Sequence, residues 1–336
     1  MADLALTFYS VLRMPVADII ECAKAAEKAG FRYISVAESF YRDGAVLAAA
    51  LASNTTQVRF GTSVFPIYTR TPFQLAMAMA TLQELSGGRI GYLGLGVGYR
   101  SRTENYFGIK IERPRQRMRE YVEIIRLLLS GQEVSYQGQF FQFRGFPKLV
   151  EQPLEIPIYF GSSGPKMLQL AGEVADGVIL NSIVTPEHLQ HARELLRQGA
   201  MHTGKGPAPL RIASSVIYAV SDNQEEAARA AKEDVLFYLG YPEVNPMLEQ
   251  SGFLEEAELL RRVNRQEGKE KALGMMSQQM LDSLAIYGDE QRCNERLREL
   301  INLGLDLPII RVSNVPYPEK DKKRVFLRAI ESLQGF

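Results

Sequence analysis

The chain has 336 residues, more than an ordinary single domain, yet α/β barrels routinely run past about 250 residues as one unit. Lys plus Arg and Asp plus Glu balance at 39 each. No basic block or aromatic-basic stripe disturbs that balance, which argues against nucleic acid or an anionic membrane as a partner and in favour of a small molecule. No apolar run approaches the roughly 20 residues of a spanning helix, and the N-terminus lacks the basic and apolar regions of a signal peptide, so a cytoplasmic protein is expected.

In chain order, short apolar strands alternate with amphipathic helices. "LALTFYS" (4–10) reads as a strand and "VADIIECAKAAEKAG" (16–30) as a helix closed by a C-terminal glycine. "YISVAES" (33–39) is a second strand, followed by a helix near 44–53 and a third strand, "TQVRFGTSV" (56–64). That strand meets Pro66 and Pro72 soon afterwards. Pro66 cannot donate to a ladder and Pro72 suits the first turn of a helix, so the strand is expected to stop near Val64. "PFQLAMAMATLQELSGG" is the next helix, "RIGYLGLGVG" (89–98) the fourth strand and "RPRQRMREYVEIIRLLLSG" a further helix. "EVSYQGQFFQF" has two β-rich runs around "QG" and reads as a hairpin. "IPIYFG", "GVILNS", "RIASSVIYAV" and "PIIRVSN" supply strands five to eight, with helices around 164–174, 185–200 and 222–238 and in "DEQRCNERLRELINLG".

Strands buried on both faces are continuously apolar, as "GVILN" and "PIIRV" nearly are, and eight of them separated by helices predict one (β/α)8 TIM barrel over 1–336. An open dinucleotide-binding sheet would carry a glycine-rich first turn, whereas "YSVLRMPVAD" has no glycine. Residues 241–284 show helical periodicity where a short connection would suffice, and read as a helical insertion near the barrel mouth.

Function in such a barrel belongs at the C-terminal strand ends. Candidates there are Glu38 and Ser39, Ser63 to Arg70, Gly96 to Glu104, Gly161 to Lys166, Asn181 to Thr185, and Ser313 with Asn314. The three histidines, His188, His191 and His202, share one helical stretch and read as solvated helix positions, and Cys22 and Cys293 lack metal-ligand spacing, so no metal site is expected. The glycines of "LGLGVG" (93–98) lie in the strand rather than in a strand-to-helix turn. They admit a close neighbour, which is either a flat ring or tightly packed protein. In "GSSGPKM" (161–167) small residues and hydroxyls precede a helix with Pro165 in its first turn, which suits either an anion or an ordinary serine cap.

The series "AESFYRDG", "GTSVFPIYTRTP", "LQELSGGRIGYLGLGVG" and "GPKMLQLAGEVADGVILNS" resembles the bacterial-luciferase-like superfamily of flavin and deazaflavin oxidoreductases. Within it, the pattern is most similar to the methylenetetrahydromethanopterin reductase branch, which uses coenzyme F420. The similarity spans about residues 3 to 240 and resumes at 286–315. The resemblance implies an oxidoreductase that moves a hydride between the deazaflavin and a small organic substrate, assembled as a homo-oligomer (dimer or tetramer). Two other readings of the family are an FMN-dependent luciferase-like monooxygenase and a non-catalytic flavin-binding protein.

The resemblance also assigns roles. It implies a non-prolyl cis peptide at Ser63–Val64, at a bulge that backs the ring, with Gly96, Val97 and Gly98 allowing the ring's close approach. Gly161, Ser162, Ser163, Gly164, Asn181 and Ser182 would hold the phosphate and hydroxyls of the tail, and Ser39 would lie beside the ring. Glu38 matches an acidic position next to the hydride-transfer centre, where proton transfer calls for a pKa raised by burial; the alternative is an ion pair with Arg42 or Arg70. Many relatives carry an Asp-His pair where this chain has Glu38–Ser39, so a histidine-centred mechanism has no carrier. Arg70, Arg100, Arg102 and Lys166 are expected on the mouth side, where they would suit the acidic tail of the deazaflavin.

Overall fold

The computed structural model describes residues 3–9, 14–38, 41–203, 210–313 and 322–336. The chain runs β1 (Ala5–Thr7), α1 (Val16–Ala29), β2 (Tyr33–Val36), α2 (Gly44–Ala52), β3 (Arg59–Thr62), β4 (Phe65–Pro66), α3 (Pro72–Leu85) and β5 (Ile90–Gly96). It continues through α4 (Arg100–Phe107), α5 (Pro114–Leu128), the hairpin strands β6 (Val134–Gln137) and β7 (Gln142–Phe146), β8 (Ile158–Gly161), α6 (Pro165–Val174), β9 (Gly177–Leu180) and α7 (Pro186–His202). After β10 (Arg211–Val220) and α8 (Gln224–Leu239) come a 3-10 turn at Pro242–Val244, α9 (Asn245–Gln250), α10 (Leu254–Gln266), α11 (Lys269–Met275) and α12 (Gln278–Leu284). β11 (Ile286–Gly288), α13 (Glu290–Asn302), β12 (Leu307–Val312) and α14 (Lys322–Glu331) complete the chain.

Sequence chemistry accounts for the boundaries. Gly30 takes φ +97° and closes α1 through its amide, as the left-handed cap requires. Thr71 and Gln74 form a reciprocal capping box ahead of Pro72, which fixes the start of α3. The third predicted strand differs from expectation, because the ladder breaks after Thr62 and resumes as β4, where Phe65 and Pro66 pair with Leu95 and Gly96. Pro66 is tolerated there because the next amide, Ile67 N–H, donates to the Gly96 carbonyl at 2.9 Å. Residues 241–284 hold the 3-10 turn and α9 to α12, and α4, β11 and α14 were not anticipated.

The strands of the main sheet follow the order β11-β10-β12-β1-β2-β3-β5-β8-β9, and β10 pairs additionally with β9. Every register given within this sheet is parallel. The chain groups into two compact units, whose boundaries fall inside β2, β9 and α7 and at the start of β10.

The first unit comprises residues 1–35, 179–194 and 211–336. Its core packs α14 on β1 and β10: Phe8 stacks on Phe326 at 5.3 Å, and the Tyr218 hydroxyl meets Ser332 at 3.0 Å. The second unit comprises residues 36–178 and 195–210. Here α5 carries the hairpin. Glu120, buried at 1% exposure, accepts from the amides of Gln139, Phe140 and Phe141 and from the Gln116 side chain. Burial pushes the Glu120 carboxyl up, but these four donors together hold it below the usual carboxylate range.

Candidate active site

The site begins where β3 stops. The Ser63–Val64 peptide is cis, as the resemblance implied. The Thr62 hydroxyl donates to the Gly94 carbonyl at 2.9 Å and accepts from the Gly94 amide at 2.8 Å. Ser63 N–H donates to the Val36 carbonyl at 2.9 Å, and Glu38 N–H to the Val64 carbonyl at 3.3 Å. The side chain of Val64 then fills the space that two glycines leave open. A Cβ at Gly161 would lie 2.7 Å from Val64 Cγ1, and one at Gly96 would overlap Val64 Cγ2. Between the two neighbours that the sequence left open for the glycine-rich strand, the one at Gly96 is therefore protein: the body that approaches is Val64. Val97 is half-buried, and Gly98 is exposed with φ +81°.

Glu38 sits in a clamp. Arg70 Nε donates to its Oε1 at 2.8 Å and Arg70 Nη2 to its Oε2 at 3.1 Å, while the Gly44 amide, in the first turn of α2, donates to Oε2 at 2.7 Å. Of the two cations the sequence offered as partners, Arg70 is the one engaged. It also pairs with Asp43, the N-cap of α2, and its carbonyl accepts from the Tyr121 hydroxyl at 2.8 Å. Burial works against the charged form of Arg70, but the hydrogen bonds to Glu38 and Asp43 more than offset it and raise its pKa. Asp43 is pushed up by burial and held below the usual carboxylate range by the Val46 amide and Arg70.

At the end of β8 lie Gly161, Ser162, Ser163 and Gly164, all half-buried. The N-cap of α6 is Gly164, and no side chain caps the helix. The residue at the cap is thus a glycine rather than a serine; Pro165 has no N–H to offer, and the Gly164 carbonyl accepts from the amides of Met167 at 3.1 Å and Leu168 at 3.0 Å. Lys166 is exposed in that turn. Of the other expected cations, Arg100 pairs with Glu104, and Arg102 lies over the Tyr99 ring at 5.3 Å.

In the first unit, Asn181 and Ser182 follow β9. The Asn181 side chain accepts from the Ser182 amide at 2.7 Å, and its carbonyl accepts from the Ser214 hydroxyl at 2.9 Å. Ser182 is buried, and its hydroxyl meets Tyr238 of α8. Four residues after Asp234 on the same helix, Tyr238 lies under the Arg311 guanidinium at 5.1 Å, and Asp234 pairs with Arg311 and accepts from the Ser313 hydroxyl at 2.7 Å. Burial works against the charge on Arg311, and Tyr238 and Asp234 raise its pKa above the ordinary value. This group was missed in the sequence, although an arginine within the otherwise apolar "PIIRV" was its signal. His188 corrects a further expectation: it is fully buried, with Nδ1 2.7 Å from Gln250 Oε1, and burial lowers its pKa. His191 and His202 are exposed as read. No group of three metal-ligating side chains occurs among the described residues.

The structure thus brings Glu38, Ser63, Val64, Gly96 and Gly161 together in the second unit and places Asn181 and Ser182 in the first. Ser39 and Asn314 lie outside the described residues.

A glycine cradle filled by a bulge residue, at the ends of parallel strands ordered as an α/β barrel, defines the class to which the chain should be compared. The chain belongs to the luciferase-like monooxygenase family, which it matches over residues 5–307. It is 32% identical over 295 residues to a 5,10-methylenetetrahydromethanopterin reductase of Methanolobus tindarius, covering 87% of this chain and 89% of that protein. The solved coenzyme F420-dependent tetrahydromethanopterin reductase of Methanopyrus kandleri matches with a TM-score of 0.84 at 25% identity, covering 98% of both chains. The oxygenating constituent of 3,6-diketocamphane monooxygenase from Pseudomonas putida, in complex with FMN, matches with a TM-score of 0.72 at 17% identity, covering 100% of this chain and 98% of that one. The fold is the luciferase-like (β/α)8 TIM barrel.

Proposed function

We propose that this protein is an oxidoreductase that transfers a hydride between coenzyme F420 and a small organic substrate, similar to methylenetetrahydromethanopterin reductase. The observation that carries the reading is the seat of Val64 between Gly96 and Gly161, in a chain whose relatives are reductases of that kind. When bound, the deazaflavin supplies the two-electron chemistry, and the protein supplies orientation.

The residues divide that work. Val64 presents a branched side chain seated in the space that Gly96 and Gly161 leave open. Glu38 N–H holds the Val64 carbonyl, and the Glu38 carboxylate holds Arg70 and the start of α2. Gly161 to Gly164 and the start of α6 offer backbone donors to a phosphate, with Lys166 beside them. Asn181 is the polar group at the end of β9 for the tail's hydroxyls; Ser182, turned toward Tyr238, serves it through the backbone. Three donors already occupy the Glu38 carboxylate, so its first role is to position this wall, and proton transfer would require one of them to be released. The resemblance further supports a cytoplasmic homo-oligomer, and no described helix is long and apolar enough to cross a membrane.

The direct test is anaerobic mixing of reduced coenzyme F420 with methylenetetrahydromethanopterin. Oxidation of the deazaflavin without oxygen is expected, whereas turnover only with reduced FMN and oxygen would replace this reading with the monooxygenase one. Glu38→Gln separates the roles of that residue. An anchor gives a lower Tm with an unchanged rate per folded molecule; a proton carrier gives a rate lower by roughly 10² to 10⁴ with the Tm kept.

A further inference from the structure

Among the described residues of the first unit, Thr7 and Arg311 are buried neighbours that each carry a polar atom without a hydrogen-bond partner. Thr7 on β1 is 2% exposed and Arg311 on β12 is 4% exposed, and the parallel register sets them side by side. Thr7 Oγ1 and Arg311 Nε have no hydrogen-bond partner, and Arg311 Nη1 has only the ion pair with Asp234. Both side chains lie on the face of the sheet opposite α14, where Arg311 meets Asp234 and Tyr238 of α8. Phe8, the residue after Thr7, stacks on α14, and Tyr218, level with Val312, reaches Ser332 beyond that helix. Alternation along a strand sends Thr7 and Arg311 to the opposite face, near the C-terminal ends where barrels of this fold keep their chemistry.

The charge balance selects the ligand. Asp234 already neutralises Arg311, so a carboxylate or phosphate would bring an uncompensated negative charge into a buried place. A neutral oxygen brings none, and accepts from donors that are costly to leave unpaired. β1 and β12 carry none of the described residues expected to hold the cofactor. We propose that Thr7 and Arg311 form a substrate subsite that grips a neutral carbonyl-type oxygen, with Arg311 Nε and Thr7 Oγ1 both donating to it. The proposal rests on the functional reading above and adds the polar group that the substrate must present.

Thr7→Val removes the hydroxyl at nearly constant shape, and Arg311→Lys keeps the charge while removing Nε. Three quantities are measured for each: Tm, the Kd for coenzyme F420, and KM and kcat with methylenetetrahydromethanopterin. For Thr7→Val the Tm should be unchanged or higher, the Kd should stay within about twofold, and KM should rise about tenfold with kcat nearly constant, the size of one lost hydrogen bond to a buried partner. Arg311→Lys should raise KM at least as much. A lower Tm in Thr7→Val shows the hydroxyl engaged in the fold, a weakened Kd makes the cofactor the occupant, and an unchanged KM in both variants removes the subsite; each result overturns the proposal. Failure of the wild type to bind coenzyme F420 would instead strike the functional reading, while the Tm of Thr7→Val still tests whether the hydroxyl is spare.

Discussion

The Glu38 clamp and the Arg311 cluster are both part-buried ion pairs at strand ends, and they are built in opposite ways. In the clamp, Arg70 meets Glu38 through Nε and Nη2, a helix-start amide adds a third donor to the carboxylate, and Asp43 accepts from the same Nη2. In the cluster, Arg311 has a counter-ion and an aromatic face, yet its Nε and the adjacent Thr7 hydroxyl have no acceptor. A saturated network makes a rigid wall. An unsaturated one keeps binding capacity for something that arrives later, at a cost to the empty protein.

The comparison breaks first at Arg70. Arg70→Ala should destabilise the protein by about 3 kcal/mol, the low end for removing one partner of a buried pair, because both side chains keep 16% of their exposure. A urea midpoint unchanged by this substitution would mean that the clamp is not the rigid member of the two. Next comes the cradle. Gly161→Ala places a methyl against Val64 and should cost about 1–3 kcal/mol as overpacking, while weakening cofactor binding more than its effect on Tm alone would suggest. Equal binding by the variant and the wild type would separate Val64 from the cofactor.

The smallest effect sharpens the saturated side elsewhere. Glu120→Gln should cost about 1–2 kcal/mol near neutral pH, since an anionic acceptor of four hydrogen bonds becomes a neutral one. The folded pKa of Glu120 is depressed, so its contribution is present above the unfolded value of about 4.5 and is lost as pH falls through the lower folded value. Stability of the variant should therefore fall less steeply than that of the wild type below that pH. Parallel acid-unfolding curves would contradict the assignment.

Much of this was legible in the residues. The alternation of apolar runs gave eight strands because doubly buried strands cannot afford polar faces, and Gly30, Thr71 and Pro72 marked helix ends through local backbone chemistry alone. The interruption after Thr62 was not legible from propensity, since Phe65 and Val64 both favour strand; it entered through family resemblance. Partners distant in sequence were the harder part. Nothing local chooses Arg70 over Arg42 for Glu38, as that choice is made by where the loop after β4 returns. His188 looked like a solvated helix position because the sequence does not reveal that Gln250, 62 residues later, covers it. Arg311 carried a signal that was read past, for a charge inside a buried strand requires a partner, and α8 supplies it with Asp234.

The central claim concerns the cofactor, and titration of the apoprotein with coenzyme F420 and with FMN, in parallel at low and high salt, tests it most directly. FMN ends at its phosphate, whereas the deazaflavin continues into an acidic tail, so tail binding through the exposed Lys166 should weaken with salt over a Debye length of about 10 Å at 0.1 M. The account predicts tighter binding of coenzyme F420 than of FMN, with affinity falling as salt rises. Tight FMN binding without measurable affinity for the deazaflavin would contradict it.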